Sequence, residues 1–254
     1  MRTNAGDLPA SDVPFLVYVE GNIAAGKSEL LAWYNIREGI HVMKEPINIW
    51  LDFNEYNVLG LKYADRTGRK GHEMTFQVLA NLTRLEQLQM SYKRKEVRMI
   101  ERSLKSGIEV FAGRARRTGT LSNLNFEVLR YFGKVTSSGL LSEVVLPDLV
   151  VYLDVSPEIC LERIRGRGRP EEMSLSLQDL NELRLAHELW LESSDVKCQV
   201  LRIKNEGEVG SIVNHMKEIT EKIIELRNRK GKSLAEKEKE KRKKEAAESA
   251  EKVE

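Results

Sequence analysis

The residues best able to do chemistry come early in the chain. In the stretch "YVEGNIAAGKSELL", Gly21, Gly26, Lys27 and Ser28 fit the spacing G-x-x-x-x-G-K-[ST]. A glycine-rich turn that opens a helix cradles an anion, because unpaired backbone N–H groups and the helix dipole point at the same place. Gly21, Asn22, Ile23, Ala24, Ala25 and Gly26 would wrap the phosphates of a nucleoside triphosphate with their backbone. Lys27 would reach the β- and γ-phosphates, and the Ser28 hydroxyl would join a Mg²⁺ shell. Glu29 follows directly. It suits the positive end of a helix dipole, yet it adds negative charge beside bound phosphates.

Three further groups complement that loop. "KEPINIW" places Glu45 where a strand should end, and a carboxylate there can take a proton from an acceptor hydroxyl. Taken alone, it reads more readily as an ordinary strand-terminal glutamate. "IERS" offers Glu101, able to hold a metal directly or through water, and Arg102, able to stabilise a phosphoryl group in transfer. A surface ion pair is the alternative. "LERIRGRGRPEE" sets Arg163, Arg165, Arg167 and Arg169 at every second position. Spacing by two does not line one helical face, and Gly166, Gly168 and Pro170 weaken a helix. A mobile loop closing guanidiniums over phosphates is expected at 163–173.

These groups need a frame. Short apolar runs at 15–20, 40–46, 97–103, 148–155 and 199–203 read as buried strands. Helical patterns at 74–94, 120–143, 157–166 and 176–192 separate them, and another opens at Ser28. The alternation predicts a doubly wound parallel α/β sheet of five strands, whose ligands sit beyond the strands' carboxyl ends. Glu20-Gly21, Glu45 and Glu101-Arg102 would then share one edge. Val209, Ile212, Val213, Met216, Ile219, Ile223 and Leu226 mark one more helix with a single apolar stripe.

The organisation follows: a disordered arm at 1–13, one kinase-like domain at 14–230, and a disordered mixed-charge tail at 231–254. Of 254 residues, 41 are Lys or Arg and 39 Asp or Glu, a net charge of +2, so bulk charge predicts neither nucleic-acid nor membrane binding. No apolar run is long enough to span a bilayer. Two cysteines without metal spacing fit a reducing compartment, and the cytoplasm is expected, with mitochondrion and nucleus left open.

With these motifs in order, "VEGNIAAGKS", "KEP...W", "FQ", "ERS" and "RIRGRGRPEE", the chain resembles the deoxyribonucleoside kinases over about residues 15–205. The resemblance implies a P-loop kinase with an Arg-rich lid, a homodimer, and transfer of the γ-phosphoryl of ATP-Mg²⁺ to the 5′-hydroxyl of a small-molecule deoxynucleoside. It implies that Glu45 is the general base and that Arg102 lies beside the phosphoryl group. It places Trp50 beside the base, Gln77 on its polar edge and Phe111 on its face. It sets Tyr63 at the sugar 3′-hydroxyl with Glu172 as its acidic partner, and makes Arg163, Arg167 and Arg169 lid arginines. Glu29 stands where the family carries Thr or Ser, and the segment between Tyr63 and Phe76 is longer than usual. After "ERS" the usual Arg-Tyr pair is replaced by Ile108 and Glu109. Arg84 falls two turns after Gln77, where the deoxycytidine and deoxyguanosine kinases carry Arg. The acid that pairs with it there is Gly107 here, so Arg84 is expected to be freer to move. Purine deoxynucleosides or deoxycytidine should be preferred over thymidine. A catalytically weak structural subunit and a nucleoside monophosphate kinase are the alternative functions.

Overall fold

The computed structural model describes residues 15–89, 97–138, 145–207 and 215–251. The arm at 1–13, the far ends of the helices expected at 74–94 and 120–143, and Val209, Ile212 and Val213 lie outside the described residues.

Five parallel strands form one sheet in the order β2-β3-β1-β4-β5. They are β1 Phe15–Gly21, β2 Ile40–Met43, β3 Val97–Glu101, β4 Leu149–Asp154 and β5 Gln199–Lys204. The central strands β1 and β3 are buried along their whole length, as strands covered by helices on both faces must be. That explains their apolar runs, which a buried Arg98 interrupts in β3 and Glu20 ends in β1. The edge strands are only partly covered. The chain leaves β1 for β2 and β3 on one side and then crosses to β4 on the other. Strand order therefore reverses at β1, where ligands of such sheets bind. Register aligns Val19 with Glu101 and Gly21 with Leu153, which brings the loop and the acid to one edge.

The helices are α1 Lys27–Tyr34, α2 Ile47–Leu51, α3 Val58–Ala64, α4 His72–Gln89, α5 Leu104–Ser106, α6 Gly113–Arg117, α7 Asn123–Thr136, α8 Pro157–Arg167, α9 Leu177–Leu191 and α10 Met216–Glu251. A wide π-helical turn, Gly107–Ala112, joins α5 to α6. Among the described residues no helix is long and apolar enough to cross a membrane.

Two expectations change. β2 stops at Met43, three residues short, because Pro46 opens α2. The charged tail does not lose structure at 231. It continues as helix to Glu251, though Lys232, Ser233, Glu236 and Lys239 are exposed. Lys, Glu and Ala are strong helix formers, so the backbone stays helical.

Candidate active site

One cavity of about 420 Å³ opens at the carboxyl edge of the sheet. Its phosphate end is made of consecutive residues. Gly21 (φ 143°), Ala24 (φ 60°) and Gly26 (φ 98°) turn the chain so that the loop ends on the first turn of α1. A side chain at Gly21 would start 2.8 Å from the Leu153 carbonyl, so only glycine fits there. The loop is braced from outside by two amides. Asn22 Nδ2 donates to Leu180 O at 2.9 Å, and Asn205 Nδ2 donates to Ala25 O at 3.0 Å.

Lys27 is buried, and its Nζ donates to Asn22 O at 2.8 Å. Among the described residues no carboxylate lies within ion-pair reach of it. Burial, with the Arg102 charge nearby, pushes its ammonium down to about 8. A buried cation without a paired anion fits a site that receives one. Ser28 Oγ donates to Glu101 at 2.9 Å, so a hydroxyl and a carboxylate oxygen stand together. Mg²⁺ takes few protein ligands and keeps waters and phosphate oxygens. Two oxygens fit that habit, and among the described residues no larger cluster of metal-binding side chains exists.

Arg102 follows β3 at φ 64°, an uncommon conformation for a side-chain-bearing residue. It is held there. Its backbone N–H donates to Val19 O, its Nη1 donates to Gly21 O at 2.8 Å, and its guanidinium lies 4.4 Å from the centre of the Phe111 ring. Glu20, fully buried, accepts from both the backbone N–H and the hydroxyl of Ser103 at 2.8 Å and so fixes the turn. Burial raises the Glu20 carboxyl above the ordinary range despite Arg102.

Glu45 sits between two cations. Arg84 Nη2 reaches its Oε1 at 2.5 Å and Arg102 Nε reaches the same oxygen at 3.3 Å. Burial would raise this carboxyl, but Arg102, Arg84 and Lys27 together hold it below the usual carboxylate range. Arg84 is therefore not freed by Gly107; it is held by Glu45. Coulomb attraction to a half-dry carboxylate replaces the missing acid.

The far end is an aromatic compartment. Trp50 from α2 lies under the Arg84 guanidinium and edge-on to Phe76, and its Nε1 donates to Thr83 Oγ1. Gln77 from α4 is buried and donates to Glu73 Oε1 at 2.8 Å. Tyr63 from α3 and Phe111 from the π turn line the same space, with Lys62 4.6 Å from the Tyr63 ring centre. Behind Phe111, His187 packs edge-on, and burial with Arg102 nearby pushes its imidazole down to about 3, so it stays neutral.

The helix expected at 157–166 carries the first part of the arginine-rich stretch. α8 runs through Gly166 and stops at Gly168, which takes the left-handed cap (φ 67°). Every second residue on a helix alternates faces, so Arg163 and Arg167 point into the cavity, one turn apart, with Arg169 beyond the cap. Arg165 turns the other way and donates to Leu175 O at 2.9 Å and to Met173 O. Glu172, buried, pairs with Arg167 and with Arg169 at 2.6 Å.

Of the side chains singled out above, all but Arg165 line this cavity: Lys27, Ser28, Glu45, Trp50, Tyr63, Gln77, Arg84, Glu101, Arg102, Phe111, Arg163, Arg167, Arg169 and Glu172. Of the loop backbone, Ile23, Ala24 and Gly26 reach it. Gly21, Asn22 and Ala25 lie behind, where they shape the loop. Glu20 was expected at this edge; Lys62 and Glu73 were not anticipated. Only Glu73, one turn before Gln77, carried a signal in its spacing.

The deoxynucleoside kinase family model matches residues 17–228. Thymidine kinase 2, mitochondrial, of Homo sapiens is 30% identical over 85% of this chain and 80% of its own length. Deoxycytidine kinase 2 of Gallus gallus is 30% identical over 80% and 84%. Deoxyguanosine kinase, mitochondrial, of Xenopus laevis is 28% identical over 74% and 77%. Together with a parallel sheet whose phosphate loop, acid and arginines meet at one edge, these matches place the chain in the deoxynucleoside kinase family.

Proposed function

We propose that the chain transfers the γ-phosphoryl group of ATP-Mg²⁺ to the 5′-hydroxyl of a deoxynucleoside. One observation carries the reading. An unbroken line of contacts runs from the aromatic compartment to the phosphate loop: Arg84 to Glu45, Glu45 to Arg102, Arg102 to Gly21 O. Both guanidiniums engage Glu45 Oε1, which leaves Oε2 without a partner among the described residues. Oε2 is the atom that takes the 5′-hydroxyl proton as the O5′–P bond forms and the β–γ bridging bond breaks. Arg102 and Lys27 hold the charge on the moving group, and Ser28 and Glu101 hold the cation. The cation supplies charge neutralisation of the phosphates. Arg163, Arg167 and Arg169 act as a lid on the donor. Tyr63 and Glu172 meet the sugar, Gln77 the base edge, and Trp50 and Phe111 its sides.

The protein acts as a homodimer in this reading. Leu124, Val128, Tyr131 and Val135 form one exposed apolar stripe along α7, and Val78 and Leu82 of α4 are exposed as well. A second copy of the chain would cover these residues. Two free thiols, Cys160 and Cys198, fit a reducing compartment such as the cytoplasm.

Radiolabelled ATP offered with a panel of deoxynucleosides and their monophosphates tests the function. Label should appear in deoxynucleoside 5′-monophosphates. Labelling of diphosphates alone, or of nothing, would overturn it. Sedimentation of the purified chain tests the dimer.

A further inference from the structure

Arg165, the arginine that points away from the cavity, has a different task. From α8 it donates to the carbonyls of Met173 and Leu175. The carbonyl between them, Ser174 O, is taken by Arg66, which follows α3. Three successive carbonyls are thus held alternately by the lid helix and by the wall that carries Tyr63. A second tie joins the same two parts. Asn57 caps α3: its Oδ1 accepts from the Gly60 N–H at 2.7 Å. Its Nδ2, left to donate, reaches Glu171 Oε1 at 2.7 Å. The segment 171–175 is therefore a strap fastened to both ends of α3 and to α8.

The strap is stiff and carries part of the lid. It starts in the tight turn Pro170–Glu172, where the Glu172 N–H donates to Arg169 O and the Leu175 N–H to Glu172 O. Glu172 lies between the two fastenings and pairs with Arg167 and Arg169, and all three line the cavity. On the other side, buried Asp65 accepts from the Lys70 N–H at 3.0 Å and shapes the loop that presents Arg66. Asn57, Arg66, Met173 and Ser174 are exposed. Hydrogen bonds at a surface exchange readily with water, so these ties can open and re-form as the walls move.

We infer that Asn57, Arg66 and Arg165 are positioning residues that couple the acceptor wall to the donor lid through the strap 171–175, so that a deoxynucleoside and ATP each tighten the binding of the other. This rests on the nucleoside kinase reading. A nucleoside seated against Tyr63 favours the place of α3 described here. Donor phosphates that draw in Arg167 and Arg169 favour the place of the lid. Each ligand stabilises one wall, and the ties pass that preference to the other wall. The effect is reciprocal, because one coupling free energy is shared by the two sites.

The test measures, by calorimetry with Mg²⁺, the affinity of an ATP analogue whose β–γ bridge is an imido group, with and without saturating acceptor. The acceptor is whichever of the four deoxynucleosides is labelled fastest. In the unmodified protein it should tighten the analogue by about fivefold or more. Asn57→Asp keeps the cap, since Asp caps about as well as Asn, but it sets like charges together at Glu171. There the tightening should shrink to about twofold or less. Adding Glu171→Gln to Asn57→Asp exchanges donor and acceptor and should restore most of it. Arg66→Ala should reduce the tightening as well. An acceptor that leaves the analogue's affinity unmoved in the unmodified protein would overturn the inference while the kinase reading stands. So would full tightening in Asn57→Asp, or a loss that Glu171→Gln does not restore. A lowered Tm with the tightening intact would make the ties structural braces and nothing more. If no nucleoside were labelled at all, the kinase reading would fall first and this inference with it.

Discussion

The two ends of the cavity are built on different plans. The phosphate end is one continuous stretch, Gly21 to Ser28, and much of its chemistry is backbone N–H and conformation. The end proposed to hold the base draws single side chains from α2, α3, α4 and the π turn: Trp50, Tyr63, Gln77 and Phe111. A backbone cradle recognises any phosphate of the right shape, so it tolerates little variation and changes little in purpose. A compartment of individual side chains can be retuned one residue at a time. The comparison teaches where this enzyme holds its chemistry and where it holds its choice. Substitutions at the phosphate end should act alike on all acceptors, whereas those at the base end should act on ratios between acceptors.

The largest effect should come where the ends meet. Glu45→Gln keeps the shape but accepts no proton, and turnover should fall by about 10²–10⁴. Nucleoside affinity, read by calorimetry, should change far less. A loss confined to KM would remove Glu45 from the role of base.

Lys27→Ala removes a preorganised charge at the phosphate end. Turnover should fall by about 10²–10³ with every acceptor alike. A folded variant with near-normal turnover would show that this loop does not hold the donor.

The pH dependence of donor binding gives a gentler probe of the same end. Lys27 is pushed down to about 8 in the free protein, so its charge is present below that pH and lost above it. ATP affinity, followed by titration, should therefore weaken as pH rises through 8 and on toward 10, with deoxynucleoside affinity much less affected. Equal ATP affinity across that window would mean that the ammonium does not contact the donor.

Glu29 faces the cavity half-buried, with no partner among the described residues. Glu29→Thr should tighten ATP binding by roughly two- to fivefold through lost repulsion. It should also cost about 0.3–1 kcal/mol of stability through the lost dipole contact at the start of α1. Weaker ATP binding would instead make Glu29 a ligand of the bound metal. The smallest effect is expected from deleting 231–254. The described side chains there are exposed, so turnover and Tm should not move measurably. A drop of several degrees would mean that the helix docks on the body.

The same division explains what could be read from the sequence. β1, β3 and β4 show as apolar runs because strands buried on both faces leave little room for alternation, whereas the edge strands β2 and β5 are only partly covered. The phosphate loop shows because its residues are contiguous. α2, α3 and the α5–α6 region do not show. "INIWL" and "VLGLKYA" are too short for a helical period to emerge. The turn at Gly107–Ala112 is wider than the standard period. Trp50, Tyr63, Gln77 and Phe111 were reached only through the resemblance, since each alone reads as core. The arginine repeat is legible as well: the helix expected at 157–166 runs Pro157–Arg167, and a spacing of two, which lines no single helical face, divides Arg163 and Arg167 from Arg165.

The braces of the phosphate loop bear on how the protein comes into being. Gly21 packs against the Leu153 carbonyl, Asn22 is tied to Leu180, and Ala25 is tied to Asn205 across 180 residues of chain. The motif is synthesised well before its supports. Contacts so distant in sequence form late and slowly. A nascent chain released before β5 would carry the whole signature and lack the scaffold that shapes it. Nucleotide binding thus becomes a property of the finished molecule, and the appearance of that binding during refolding would time the arrival of the final strand.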